Sequence, residues 1–223
     1  MFTFKGITSD SLGVIAEEED FLARAARRAD KLEINGVDGA EYTELGYSDI
    51  EQSVNLQLTD TTKLDAILAW LDGVGEFIFN GRKTTARFYN SLQPSRMVYL
   101  KSIPATFIRA PFWYLTSEIN QTITASGTTI VNSGNAESWP LLKITGSGAI
   151  TVTLNEVTFG YTFDTPYVYV DCIKGKTRQA SYLSARKNRQ KTGGWPSLAI
   201  GNNTIAWTGS ITSIIVTKRT CFL

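Results

Sequence analysis

The sequence contains no histidine among its 223 residues and only two cysteines, Cys172 and Cys221. The lack of histidine excludes Ser-His and Cys-His nucleophile pairs and the usual zinc ligand sets. Two cysteines are too few for a disulfide framework, and both lie in β-patterned runs, so we interpret them as buried free thiols. We therefore expect no metal site and no cofactor.

The sequence also lacks long apolar runs. None approaches the roughly 20 residues needed to span a bilayer, and the first residues lack the charged and apolar regions of a signal peptide. We therefore expect no membrane contact and synthesis in a cytoplasm. With 43 % hydrophobic and 19 % charged residues, the composition is that of a folded globular protein, and the length suffices for two ordinary domains.

Acidic residues are missing from the C-terminal part, because no Asp or Glu follows Asp171 whereas nine Lys and Arg do. Residues 1–116 contain 12 basic and 16 acidic side chains, a net charge of −4, and residues 117–223 contain ten and five, a net charge of +5. Such a two-ended charge distribution could orient the molecule in an assembly. The basic stretch between Lys174 and Lys191 is interpreted as a solvated loop. Nucleic-acid binding is the alternative, but the stretch lacks regularly interleaved aromatic residues.

Residues 1–116 mix strand patterns with one helix. Leu64, Ile67, Leu68 and Leu71 repeat at helical spacing, so we predict a helix whose apolar stripe packs in the core. Trp70 lies off this stripe, which favours a contact with another surface. Asn80-Gly81 between two β-favouring runs predicts a hairpin. This domain is therefore predicted to be a small, mostly antiparallel sheet or barrel closed by one helix, with a strand break near Pro104.

One segment of this domain has two interpretations. Four acidic residues, from Glu17 to Asp20, precede Arg24, Arg27 and Arg28, an order that suits the dipole of a helix. A short helix and a projecting arm both fit residues 16–29.

The pattern changes near residue 117, where a stretch rich in Ser, Thr and Gly begins. After it every periodic segment has period two, and Gly, Asn and Pro separate the runs. Strands are predicted at residues 142–144, 150–154, 168–172, 204–207 and 211–216. Residues 117–223 are therefore predicted to form a β-sandwich.

Motifs along the whole chain, in conserved order, resemble the distal tail proteins of long-tailed, non-contractile bacteriophages or a related prophage. In the first half these are residues 4–9 with 12–14, 36–39, 68–71 and 110–112. In the second half they are residues 132–135, Pro140, Ile144, Gly146, Asp171, Pro196, Leu198, Gly201, Asn203, Ile205 and Gly209. The resemblance implies a mainly β protein with a minor helical component. An N-terminal α+β, split-barrel-like ring (belt) domain, residues 1–116, would precede a galectin-like β-sandwich, residues 117–223.

The resemblance further implies a structural hub at the virion tail tip and no enzymatic activity. In this interpretation the protein forms a homo-hexameric ring that joins the major tail tube protein to tail-associated or receptor-binding tip proteins, and DNA only passes through. Assembly would take place in the cytoplasm of the host bacterium. This chain has no segment long enough to house the carbohydrate-binding modules inserted in some larger relatives, so we do not expect receptor recognition by the chain itself.

Two sets of residues are assigned to surfaces on this basis. An oligomer interface or channel is expected to involve Phe2, Phe4, Glu17, Glu18, Glu19, Arg24, Arg27, Arg28 and Trp70. An outward, partner-facing loop is expected to involve Arg186, Lys187, Arg189, Lys191 and Trp195.

The alternative function is a carbohydrate-binding, lectin-like module on a phage or cell surface. Trp139 and Trp195 are the aromatic residues that could act as sugar platforms, although both precede prolines in turns, where plugging the end of a sandwich is more usual. A glycosidase would need two carboxyl groups across a cleft, and no spacing in the sequence singles out such a pair.

Overall fold

The computed structural model describes residues 1–17, 21–93, 102–179 and 187–223. The chain divides into unit 1, Met1–Thr116 with Leu223, and unit 2, Ser117–Phe222. Antiparallel strands dominate both, and one short α-helix lies in the described part of unit 1. The predicted fold class, mainly β with a minor helical component, is confirmed. No helix in the described ranges has the length and apolar character to cross a bilayer.

Unit 1 is built on one antiparallel sheet. Its strands are β1 (Thr3–Phe4), β2 (Ile7–Thr8), β3 (Val14–Glu17), β4 (Arg27–Leu32), β5 (Glu41–Tyr47), β6 (Ile50–Leu58), β7 (Gly73–Phe79), β8 (Arg82–Phe88), β9 (Ser102–Arg109) and β10 (Trp113–Leu115), and its helix is α1 (Leu64–Trp70). The sheet order is β2-β1-β7-β8-β9-β6-β3, and β10 pairs with β8. Strands β4 and β5 form a separate two-stranded sheet.

The core of unit 1 is aromatic. Phe77 is fully buried, and its ring lies 5.2 Å from the rings of Phe2 and Phe21, 5.3 Å from Phe107 and 6.1 Å from Trp113, centroid to centroid. Offset and edge-on ring contacts of this kind add to the stabilisation from burial alone. Phe77 is therefore the centre of the packing that holds β1, β7, β9 and β10 together.

The buried face of α1 agrees with the predicted apolar stripe only in part. Asp60 caps the preceding 3-10 turn by accepting a hydrogen bond of 2.9 Å from the backbone N–H of Thr62. Ile67 and Leu71 are buried, whereas Leu64 and Leu68 are half-buried. Trp70, outside the stripe, is also buried. The side of α1 that faces the core is thus rotated towards Trp70 relative to the prediction.

The predicted hairpin at Asn80-Gly81 is confirmed. Both residues have positive φ, 47° and 70°, and they connect β7 to β8 with Phe79 opposite Arg82. Positive φ at both central residues defines a type I′ turn, whose twist matches that of the flanking strands.

The strand break predicted near Pro104 is wrong, because β9 runs through this residue, which pairs with Asn55 of β6. Between the described parts of β8 and β9, pairing reaches only Ile108 and Arg109. Around Pro104 the strand has β6 as its one described neighbour, and prolines in sheets are found where a strand is not paired on both sides.

Residues 16–17 and 21–29 are the described part of the segment with two interpretations, and the arm fits only its end: Phe21 and Ala25 are buried, and the projecting hairpin begins at Arg27. Residues 14–17 form strand β3, and residues 27–32 form β4, which pairs in an antiparallel hairpin with β5. We call residues 27–47 the arm. The helix is wrong for the described residues, because residues 21–26 are irregular and the strand that begins at Arg27 is bonded across the hairpin through Arg27 and Arg28.

Unit 2 is a sandwich made largely by two long strands. In the described residues its eight strands are β11 (Gln121–Ile123), β12 (Thr128–Asn132), β13 (Leu141–Leu154), β14 (Val157–Thr162), β15 (Tyr167–Asp171), β16 (Lys176–Arg178), β17 (Lys191–Gly193) and β18 (Gly201–Thr217). Strand β19 (Cys221–Phe222) follows them in the chain and is not part of the sheet that they form. The N-terminal part of β13 pairs with β15 and the C-terminal part with β14. Likewise β18 pairs with β12 through its first residues and with β11 through its last. Each long strand thus contributes to both layers.

The change of layer occurs at irregularities in the pairing of β13 with β18. The register shifts between Thr145 and Gly146 and again between Ser147 and Thr151. Gly209 has a φ of 90°, and a Cβ atom there would lie 2.6 Å from the carbonyl oxygen of Ala149. Bulges and glycines bend strands in this way. The sequence patterns predicted two separate strands on either side of each bend, whereas the structure keeps each pair as one strand.

Apolar residues from both layers meet in the core of unit 2. Leu142, Ile144, Val168 and Ile214 come from one layer, and Val152, Leu154, Phe159 and Ile205 come from the other. Along β13 and β15 these buried residues alternate with partly exposed ones, which is the period-two pattern read from the sequence.

Candidate assembly surfaces

The arm is the most exposed regular element of unit 1. Every residue of β4 is exposed, as are the first six of the seven residues of β5. Its base is closed by a hydrogen bond of 2.9 Å from the backbone N–H of Ser48 to the carbonyl oxygen of Ala26. The arm therefore extends from unit 1 as a two-stranded hairpin.

The arm presents apolar side chains to solvent. Leu32, Ile34, Val37, Tyr42 and Leu45 are each between 45 % and 63 % exposed. An isolated two-stranded hairpin is at best marginally stable in water, and its outer edges present unpaired backbone groups. The apolar side chains lie on both faces of the hairpin, since Tyr42 pairs with Lys31 and Leu32 with Glu41. The arm thus has the composition and edges of a segment that packs against another protein surface.

Arg27 and Arg28, which were assigned to an oligomer interface or channel from the sequence, form contacts between the two strands of the arm. Arg27 forms an ion pair with Glu44 across the hairpin and donates a hydrogen bond of 2.9 Å to the hydroxyl of Tyr47. The hydrogen bond to Tyr47, and after it the hydrogen bond to Glu44, raises the pKa of the Arg27 guanidinium. Arg28 donates to the carbonyl oxygen of Leu45 at 2.9 Å. Arg24, at the base, is exposed.

A buried arginine holds the segment that leads into the arm. Arg109 is fully buried, and it donates to the side chain of Gln52 at 2.9 Å, to the carbonyl oxygen of Ala110 at 3.1 Å and to that of Ala23. Its guanidinium carbon also lies 5.0 Å from the centre of the Trp113 ring. Sequence reasoning missed this residue. The available signal was its parity, since Arg109 shares the inward-facing positions of β9 with Phe107 and Ala105.

Three of the predicted interface residues belong to the core. Phe2, Phe4 and Trp70 are at most 5 % exposed. The indole N–H of Trp70 donates a hydrogen bond of 2.8 Å to the carbonyl oxygen of Phe4, and its ring stacks on Phe2 at 5.5 Å. The prediction that these side chains meet another subunit is wrong, because each is enclosed within unit 1.

The acidic residues assigned to the same interface divide into two groups. Glu17 ends β3, is half-buried and accepts a hydrogen bond from the amide of Gln57 on the neighbouring strand β6. Glu18 and Glu19 lie outside the described residues. The role of all three in an interface stays a prediction.

The predicted outward loop of unit 2 is less open than expected. Lys187 forms an ion pair with Asp164, and hydrogen bonds from Lys187 and Gln190 lower the pKa of that carboxylate. Lys191 lies 4.0 Å from the centre of the Trp195 ring and donates to the carbonyl oxygen of Gly193 at 2.9 Å. Arg186 lies outside the described residues.

Arg189 is therefore the one assigned loop residue in the described ranges that is exposed. Burial lowers the pKa of the Lys191 ammonium group, which lies against the ring of Trp195. The ring of Trp195 packs against the core of unit 2, which is the plugging role expected for a tryptophan before a proline and leaves Trp195 unsuited as a sugar platform. Trp139, at 40 % exposure, remains accessible.

Both cysteines are buried and free, as predicted. Burial raises the pKa of the Cys172 thiol to about 12 and that of Cys221 to about 11. A thiol with such a pKa is protonated at neutral pH and is a poor nucleophile. Within the described ranges no group of three or more Cys, Asp or Glu side chains is arranged to hold a metal ion.

A polar cluster ties the two ends of unit 2 together. Arg219 binds Asp171 through two hydrogen bonds of 2.7 Å and 3.1 Å. The carboxylate of Glu118 accepts hydrogen bonds from the backbone N–H groups of Arg219 and Thr220 at 2.6 Å and 2.9 Å. Burial by itself would raise the pKa of Asp171, but hydrogen bonding and the charge of Arg219, with help from Lys174, outweigh it and lower the pKa.

We expect unit 2 to lose stability in acid through Asp171. A carboxylate whose pKa is lower in the folded than in the unfolded state stabilises the fold above its unfolded pKa, about 4, and loses that contribution as the pH falls through the folded pKa. Asp171→Asn should reduce the free energy of unfolding by about 1.5 to 3 kcal/mol at neutral pH. Thermal melts of both proteins from pH 7 to about pH 2 should show the difference shrinking in acid. The exposed carboxylate control, Glu156→Gln, should behave as the wild type throughout, and a difference between Asp171→Asn and wild type that is independent of pH would contradict the expectation.

Comparison with known proteins gives matches in structure alone. No protein-family model and no curated protein matches the sequence. The crystal structure of the Dit protein of phage SPP1, described as a paradigm of the hub adsorption apparatus in phages that infect Gram-positive bacteria, matches with a TM-score of 0.76 and 15 % identity, over 100 % of this chain and 98 % of that one.

Two structures of the phage P2 baseplate in its activated conformation match far less well. The structure with Ca has a TM-score of 0.42 at 6 % identity, covering 92 % of this chain and 90 % of that one. The structure with Sr has a TM-score of 0.39 at 8 % identity, covering 95 % and 92 %. Such scores support no argument. The match to SPP1 Dit, in contrast, confirms the predicted resemblance at the level of the fold.

Proposed function

We propose that this chain is a structural hub at the distal end of the tail of a long-tailed, non-contractile phage. The observation that carries the proposal is the likeness to SPP1 Dit, which extends over the whole chain and therefore over both units. In the proposed assembly, copies of unit 1 form a hexameric ring. The ring joins the tail tube protein to the tail-associated or receptor-binding proteins of the tip, and the protein has no catalytic role.

The arm supports assembly through unit 1. Its apolar side chains and unpaired edges are unfavourable in water and become favourable when a neighbouring copy covers them. Arg109 and the hydrogen bond between Ala26 and Ser48 hold its base in place. A fixed base reduces the conformational entropy that the arm loses on binding, so the arm is preorganised for contact with a neighbouring copy.

The negative net charge of residues 1–116 supports the proposal that DNA passes through a ring made by unit 1. Residues 1–116 carry a net charge of −4. A basic wall would gain free energy by counterion release at each phosphate contact and would retain the DNA, whereas an acidic wall does not. In this arrangement residues 1–116, and not the basic residues 117–223 with their net charge of +5, form the wall of the channel.

Native mass spectrometry and electron microscopy of the purified chain test the proposal. We expect a species of six copies of the 24.6 kDa chain and class averages with six-fold symmetry and a central channel. Obligate interfaces commonly bury about 2,000 Å² or more, so the assembly should persist on dilution. A ring whose channel is lined by unit 2, or a chain that stays monomeric when mixed with its tail tube protein, would contradict the proposal.

A further inference from the structure

The outer face of one layer of unit 2 carries an unusual row of side chains. In the register of the sheet, Ile215 of β18 lies opposite Lys143 of β13, Lys143 opposite Tyr169 of β15, and Tyr169 opposite Arg178 of β16. Their neighbours along these strands, such as Leu142 and Val170, are buried in the core. All four side chains of the row therefore lie on the side away from the core. We call this surface the tyrosine face.

Cations lie against aromatic rings on this face. The ammonium group of Lys143 is 5.0 Å from the ring centre of Tyr167 and 5.8 Å from that of Tyr169. The guanidinium carbon of Arg178 is 5.2 Å from the ring centre of Tyr169. A cation held against an aromatic ring is positioned by that contact and keeps hydrogen-bond donors for a further partner.

The lysine has no acidic partner in the described part of the chain. No carboxylate there lies within ion-pair distance of Lys143, whereas Asp171, Asp164 and Glu118 are each engaged by other groups. A half-buried ammonium group with ring contacts and no counter-ion attracts an anion more strongly than a fully solvated one, because fewer waters screen it.

A shallow depression of about 210 Å³ lies beside this lysine. It is lined by Asn120, Leu141, Lys143, Tyr169, Ile215 and Thr217. The hydroxyl of Thr217 donates a hydrogen bond of 2.7 Å to the amide oxygen of Asn120. This contact uses the acceptor of Asn120 and leaves its N–H₂ group as a donor. The lining of the depression thus combines the ammonium-bearing Lys143, the amide of Asn120 and the aromatic Tyr169 with the apolar Leu141 and Ile215.

We propose that the tyrosine face binds an anionic sugar or polyol unit, one that carries a carboxylate or a phosphate, with Lys143 contacting the anion. The donors of the site match the oxygens of such a ligand, and aromatic and apolar side chains match the C–H surface of its carbon skeleton.

A peptide strand fits this surface less well. Lys143 and Tyr169 lie on strands that are paired on both sides, β13 with β18 and β15, and β15 with β13 and β16. No open edge is available there for strand addition, which is the usual way in which a sheet binds an extended peptide. An acidic protein segment is therefore the competing outcome that the experiment must separate.

Saturation-transfer difference NMR on the full chain tests the site and works for a monomer or a larger assembly. The probes are glucose 6-phosphate, glucuronate, glucose and a tetraglutamate peptide, and the first two distinguish phosphate from carboxylate recognition. We expect at least one sugar anion to bind at least about tenfold more tightly than glucose, the scale of one charge-assisted hydrogen bond. Binding of that anion should weaken about tenfold in Lys143→Gln and less in Tyr169→Phe, which keeps the ring.

The matched control is Arg189→Gln, which removes one exposed positive charge from the same unit and should leave binding unchanged within about twofold. Circular dichroism of each variant checks that the fold is retained. Equal binding of glucose, unchanged binding in Lys143→Gln, or no saturation transfer from any probe at about 10 mM would overturn the proposal. Tighter binding of tetraglutamate than of either sugar anion, with the same loss in Lys143→Gln, would overturn it in favour of an acidic protein partner.

Discussion

Replacing Phe77 with alanine is expected to lower the free energy of unfolding by about 3 to 5 kcal/mol, the cost typical of removing a buried phenylalanine. Phe77 is fully buried and its ring contacts Phe2, Phe21, Phe107 and Trp113. The substitution leaves a cavity that these rings cannot fill without losing their own contacts. Thermal and denaturant unfolding of the full chain measure the effect.

Val74→Ala is the control for this prediction. Val74 lies on the same strand, β7, but its side chain is 47 % exposed, so its truncation should cost well under about 1 kcal/mol. Equal destabilisation by the two substitutions would show that the aromatic cluster does not determine the stability of unit 1. Because Phe2, next to β1, Phe107 of β9 and Trp113 of β10 all contribute rings to this cluster, Phe77→Ala should also weaken any assembly that depends on a folded unit 1.

Removing the arm is expected to abolish self-association while unit 1 stays folded. Residues 27–47 can be replaced by Asn-Gly, because the backbone groups of Ala26 and Ser48 already form a hydrogen bond of 2.9 Å and a two-residue turn can close this distance. The arm contains little of the core, since nearly all its residues are exposed. The melting temperature of the shortened chain should therefore stay close to that of the wild type, whereas native mass spectrometry should show monomers alone.

The matched control for the shortened chain is again Arg189→Gln, a change on the exposed surface of unit 2 that should assemble as the wild type does. Rings of six shortened chains would contradict the role proposed for the arm, although they would leave the hub itself possible. A shortened chain that is unfolded by circular dichroism would instead show that the arm stabilises unit 1, contrary to its exposure. The two results are distinguishable because one concerns mass and the other secondary structure.

Local patterns predicted the elements whose signals lie within a few residues. The hairpin at Asn80-Gly81 depends on two residues that readily adopt positive φ, and the structure has this turn where it was predicted. The period-two runs of unit 2 correctly marked the buried positions of β13 and β15. The helix stripe was right for Ile67 and Leu71, since a repeat of 3.6 residues already defines a face.

Positions that depend on distant partners were not predictable in this way. Trp70 was assigned to an interface because it lies outside the helix stripe, yet β1 places Phe2 and Phe4 where they enclose it. Residues 16–29 suited a helix dipole as well as an arm, and the choice depended on β5, which begins 12 residues beyond that segment. The buried position of Arg109 likewise depends on partners 57 and 86 residues away in sequence.

The sequence by itself determined that sites which need histidine are absent, the mainly β character of both halves and the opposite net charges of residues 1–116 and 117–223. These properties follow from composition and from periods of two and 3.6 residues, which need no knowledge of which strands pair. Only the tertiary structure decided that Phe2, Phe4 and Trp70 are core, that residues 27–47 project as a hairpin, and that Lys143, Tyr167 and Tyr169 meet on one face. The physical reason is that burial and contact across a sheet depend on strand register, and register is a property of pairs of segments that one local pattern does not contain.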